Sequence, residues 1–157
     1  MKKFELTNEF VTNMFGTKLF RIRALVEFGD VEAGELGGYV EKESNLGHDD
    51  NAWVYDNAWV YGNALVCGDA RVCGNGDYAY AHGFGSVNRT TTFFRLKDGG
   101  VGVRCGCFYG TLAQFRDKIR ETHGETKKAQ EYLMLADLME LRFEEDENEV
   151  GNRKYVE

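Results

Sequence analysis

The sequence predicts an α+β chain built on a short β-solenoid, with an N-terminal β-hairpin cap and a C-terminal ββαα module. Three observations predict it. Asn51 to Gly74 reads NAWVYD NAWVYG NALVCG DARVCG, four hexads in one register. Proline is absent and glycine numbers 19, so turns fall to Gly, Asn and Asp. Beyond Gly110 the apolar spacing changes from that of a strand to that of a helix.

Within each hexad the second position is Ala52, Ala58, Ala64 or Ala70 and the fourth is Val54, Val60, Val66 or Val72. Residues two apart in an extended chain share a face, so these eight form the expected interior. Trp53 and Tyr55, Trp59 and Tyr61, Leu65 and Cys67, and Arg71 and Cys73 are expected to point outward. Each unit ends in Asp or Gly followed by Asn or Asp, residues that tolerate positive φ and make a corner. A strict period of six suits stacked β coils and drifts around a helix. With three hexads to a coil, Trp53 is expected beside Arg71, Tyr55 beside Cys73 and Trp59 beside Asp77.

The remaining elements follow in order. Residues 1–36 form the N-terminal cap: Phe20, Ile22, Ala24 and Val26 alternate with Arg21 and Arg23, and Asn13-Met14-Phe15-Gly16 supplies a hairpin turn. Residues 37–88 hold the solenoid, whose phase degrades after Asn75, although Tyr78 and Tyr80 keep the alternation. Residues 89–143 form the ββαα module. Its strands are Thr91 to Leu96 and Val101 to Phe108, joined by a turn at Lys97-Asp98-Gly99-Gly100. Thr111 is the N-cap of the first helix, Gln114 completes a capping box, Leu112, Phe115 and Ile119 form its apolar stripe, and Gly124 stops it. The second helix runs from about Glu125 to Phe143, with Tyr132, Leu133, Ala136, Met139 and Phe143 on one side. Residues 144–157 are an acidic tail beginning EEDENE.

The stretch GDVEAGELGGYVEKESNL, followed by NAWVYDNA, resembles the lead-in and first repeats of a phage and bacterial family of hexapeptide-repeat, acyltransferase-like proteins. The resemblance covers about Arg21 to Gly76. It implies a left-handed β-helix, a phage or prophage setting and, for enzymatic members, acyl transfer from an acyl-coenzyme A with a histidine as base. His82 is the residue placed for that role. The clean repeats here span only about one and a third coils, short of the solenoids that build acyl-coenzyme A clefts.

The formal net charge is -7, which argues against a nucleic-acid binder. The acidity is uneven: residues 37–88 carry seven acids against two bases, residues 89–143 ten bases against seven acids, and residues 144–157 six acids against two bases. No run approaches the roughly 18 apolar residues of a membrane span, and MKKFELTNEF lacks a secretory h-region. A cytoplasmic protein without a membrane association is expected. The spacing of Cys67, Cys73, Cys105 and Cys107 suits free thiols, and no metal or cofactor is expected.

The expected partner-binding residues are Trp53, Tyr55, Trp59, Tyr61 and Arg71. An outward row of aromatic rings is covered within the chain, by a second copy in a homo-oligomer, or by a foreign protein. Arg116, Lys118, Arg120, Lys127 and Lys128 form a basic cluster read as a solvated face. The leading expectation is a non-catalytic protein-binding module of phage origin, an inhibitor of a host defence system such as a CRISPR nuclease. The alternatives are the acyltransferase and a self-assembling structural protein.

Overall fold

A computed structural model describes residues 2–85 and 89–144. The chain runs β1 (Phe4–Thr12), β2 (Lys18–Ala24), β3 (Leu36–Val40), β4 (Trp53–Val54), β5 (Trp59–Val60) and β6 (Arg71–Val72). It continues through β7 (Tyr78–Phe84), β8 (Arg89–Arg95), β9 (Val101–Cys105) and β10 (Phe108–Thr111) to α1 (Leu112–His123) and α2 (Lys127–Phe143). The strands form three separate sheets, ordered β1-β2-β3-β5, β4-β6 and β10-β9-β8-β7.

The expected solenoid does not form, and the fold is mostly β in three sheets with two helices. The Ala and Val positions of the hexads are all buried, at most 3% exposed, and Trp53 pairs with Arg71 in parallel register. That pairing does not propagate. β4 and β6 share two residue pairs, Leu46 meets Val66 in an isolated bridge, and Trp59 pairs with Tyr39 of β3 rather than lying beside Asp77. Asp56, Gly62 and Gly68 make the expected corners at φ 55, 65 and 67. Gly74 is extended instead, at φ -158, so the fourth corner is missing and the chain leaves the repeat for an antiparallel hairpin.

The outward face is corrected as well. Trp53 is fully buried, its ring edge-on to Phe28 at 5.2 Å and to Phe4 at 6.3 Å, and Cys67 also turns into the core. Room for the indole is made by Gly37, where a β-carbon would stand 2.8 Å from the Trp53 ring and 2.6 Å from the Val54 carbonyl oxygen.

The N-terminal hairpin forms at the expected turn. The Asn13 carboxamide oxygen accepts from the amides of Phe15 and Thr17, and Gly16 takes φ 84. The C-terminal module has four strands where two were expected. Gly106, at φ 59, breaks the stretch from Val101 to Phe108 into β9 and β10, and β7 joins the sheet by pairing with β8. Both helix caps match expectation: Thr111 and Gln114 form a capping box, and Gly124 closes α1. Residues 145–157, most of the expected acidic tail, lie outside the described residues.

Two cores result, with the C-terminal sheet between them. Neighbours on β8 point to opposite faces: Phe94 packs with the repeat, while Phe93 packs with α1 and α2. Thr92 follows Phe94, accepting a hydrogen bond from the Leu65 amide at 3.0 Å.

A buried cation joins the N-terminus to the repeat. Lys3, 2% exposed, donates from Nζ to the Ala52 carbonyl at 2.6 Å, the Asp50 carbonyl at 3.1 Å and Asp50 Oδ1 at 3.2 Å. Burial pulls its pKa below the ordinary lysine value, against the opposing pull of Asp50. Lys3→Met strands Asp50 and the Ala52 carbonyl, and is expected to lower the unfolding free energy by about 3 kcal/mol in urea titrations. A lysine whose folded pKa is depressed favours the folded state more as pH rises toward its unfolded value. Wild type should therefore gain stability through the window just below the ordinary lysine pKa, and Lys3→Met should lack that gain.

Candidate functional site

The five expected partner-binding residues separate into three environments. Trp53 is in the core. Tyr55 and Arg71 line a cleft with Gly29, Asp30, Asn51, Asp69, Leu96, Lys97 and Asp98, and Trp59 and Tyr61 line a different groove.

The cleft has a volume of about 520 Å³ and is built where the lead-in loop, the repeat and the β8–β9 turn converge. The Tyr55 hydroxyl donates to Asp30 Oδ1 at 2.8 Å, Arg71 Nη1 stands 3.3 Å from Asp30 Oδ2, and the guanidinium lies 4.8 Å from the centre of the Tyr55 ring. The parallel pairing of β4 with β6 sets this cluster, because Arg71 is the partner of Trp53 in that register and Tyr55 directly follows β4. The hydrogen bond from Tyr55, aided by Arg71, holds the Asp30 carboxyl below the ordinary carboxylate range. Burial first, and the bond to Asp30 second, push the Tyr55 phenol well above its usual value. Tyr55 is therefore a hydrogen-bond donor at neutral pH, already engaged by Asp30.

The second groove, about 470 Å³, is lined by Trp59, Tyr61, Asn75, Tyr78, Ala79, Tyr80 and Arg142. Tyr61 stands edge-on to Tyr78 and Tyr80, with ring centres 6.5 and 6.4 Å apart. Trp59 is half-buried and Tyr61 39% exposed, and the Trp59 amide donates to Asn75 Oδ1 at 2.7 Å. Burial, and next the neighbouring phenols, raise the Tyr78 and Tyr80 pKa values, and Arg142 adds a cation to the lining of the groove.

His82 is an exposed residue of β7 whose Nδ1 lies 2.7 Å from the Thr90 hydroxyl, and it lines neither cleft. The basic cluster is partly neutralised: Arg116 bridges Asp137 and Glu140 of α2, while Arg120 and Lys118 pair with Asp117 and Glu121. All four cysteines are free, and among the described residues no group of three His, Cys, Asp or Glu side chains is placed to hold a metal ion. No described helix is long and apolar enough to cross a membrane.

The sequence reading missed Asp30, Tyr80 and Arg142. Asp30 sits in a glycine-rich stretch that reads as a turn, and Arg142 lies at the far end of the chain from Trp59. The alternation of Tyr78 and Tyr80 was the available signal for the groove. No family model and no curated protein matches the chain, so the likeness to hexapeptide-repeat proteins stands on the quoted residues alone.

Tyr55→Phe should raise the Asp30 pKa toward the ordinary value, read as a shifted carboxyl carbon titration by NMR. A carboxylate with a depressed folded pKa contributes stability above its unfolded value and loses it as pH falls through the folded one. The variant should accordingly lose less stability than wild type across that acid window.

Proposed function

We propose that the chain is a non-catalytic protein-binding module of phage origin that engages its partner through the aromatic groove. The observation that carries this reading is the convergence of Trp59, Tyr61, Tyr80 and Arg142 on one surface depression. Trp, Tyr and Arg dominate binding hot spots because each joins a large contact area to a polar tip. The edge-on tyrosine pairs hold these rings in place, so little side-chain freedom is lost on docking.

The net charge of -7 favours a partner with a basic surface. Proteins that handle nucleic acid present such surfaces, and a host defence nuclease, a CRISPR effector among them, is the partner class proposed.

Affinity purification of a tagged chain from its bacterial host, followed by a binding titration with the protein recovered, tests the reading. A Trp59→Ala, Tyr61→Ala double variant should fold normally and bind at least about 100-fold more weakly, the loss of two hot-spot side chains. Recovery of no reproducible partner, or an unchanged affinity in the double variant, overturns it. So does saturable binding of an acyl-coenzyme A that His82→Ala abolishes.

A further inference from the structure

A separate pocket, of about 260 Å³, opens on the helix-bearing side of the C-terminal sheet, where the β9–β10 turn and the start of β8 face α1 and α2. Its floor is apolar and largely aromatic. Phe115, Ile119 and Tyr132 are buried there, Phe115 stands edge-on to Tyr132 with ring centres 5.8 Å apart, and Phe108 packs on Phe115 at the same distance. These contacts hold the rings in place before anything binds.

The rim carries the opposite chemistry. Arg89 and Lys118 are exposed at the mouth, and His123 stacks on the Tyr132 ring at 6.0 Å. The Arg89 guanidinium lies across Gly106, in the space that a β-carbon there would fill, so the turn that divides β9 from β10 also seats the arginine. No described acid pairs with Arg89, and Lys118 reaches only Glu121, in an exposed contact of 3.9 Å within α1. No carboxylate lines the pocket, in a chain of formal charge -7. Cations gathered on a low-dielectric wall focus their field on the space between them, and that space favours an anion.

We infer that this pocket binds a small aromatic carboxylate, with its ring on Phe108, Phe115 and Tyr132 and its charge between Arg89 and Lys118. The planar fork of an arginine meets a carboxylate through two parallel hydrogen bonds. A ring set against the edges and faces of fixed aromatic side chains gains contact beyond its buried area. The volume lies below that usual for a drug-sized ligand and suits a single ring. The pocket shares no residue with the aromatic groove, so the two sites can be tested apart.

Titration of the isotope-labelled full chain with benzoate, followed by two-dimensional amide NMR, tests the inference. Saturable shifts are expected at Arg89, at Cys107 and over residues 118–123 of α1, with a dissociation constant on the order of millimolar for so small a ligand. Benzamide keeps the ring without the charge, and inorganic phosphate keeps the charge without the ring. Each should bind at least about tenfold more weakly than benzoate. Arg89→Ala and Lys118→Ala should each weaken benzoate binding, the first by about tenfold, with circular dichroism unchanged. Absence of saturable shifts, or shifts centred on Trp59 and Tyr61 instead, overturns the inference. So does equal affinity for benzamide or phosphate, or benzoate binding that neither substitution weakens.

Discussion

The Asp50 carboxylate is the point on which the repeat region depends. It accepts from the Lys3 ammonium, from the Ala52 amide at 3.1 Å and from the Gly68 amide at 2.8 Å. One side chain thereby joins the segment just before β1, the first hexad and the third corner. The corners need such support because left-handed backbone turns leave amide groups without ladder partners. Asn45 does the same work five residues earlier in the lead-in, donating to the Gly62 and Ala64 carbonyls and accepting from the Lys42 amide. Two polar side chains of the lead-in segment, Asn45 fully buried and Asp50 partly so, thus organise a repeat whose short strands share few ladder pairs.

The C-terminal sheet completes what the repeat lacks. A stack of short parallel strands ends in open edges and an uncovered interior, which invite pairing with other chains. Here β3 closes one side by pairing with both β2 and β5, and the face of β7 and β8 that carries Tyr78 and Phe94 covers the other. The opposite face of the same sheet carries the two helices. This layering separates the Asp30–Tyr55–Arg71 cleft from the Trp59–Tyr61 groove, although all but Asp30 come from the repeat.

Features set by neighbours in the chain were legible beforehand. The Asn13–Gly16 turn, the Thr111–Gln114 capping box and the Gly124 stop each use contacts within a few residues, so residue type alone points to them. The buried Ala and Val positions were legible too, because period-two burial follows from strand geometry. Gly106 as a chain-reversing turn and Gly74 as an extended residue were not, since glycine permits both conformations and only the surroundings choose.

Trp53 and Trp59 mark the boundary most clearly. They occupy the same place in two near-identical hexads, yet one is buried beneath Phe4 and Phe28 and the other opens onto a groove. By itself the sequence determined the interior of the repeat, three of its four corners, the turns at Asn13–Gly16 and Lys97–Gly100 and the ends of α1, because those depend on alternation and local hydrogen bonds. Only the tertiary structure decided that the repeat would stop short of a solenoid and which rings would reach the surface. Both depend on segments distant in the chain competing to cover the same apolar area, and no local pattern records which of them succeeds.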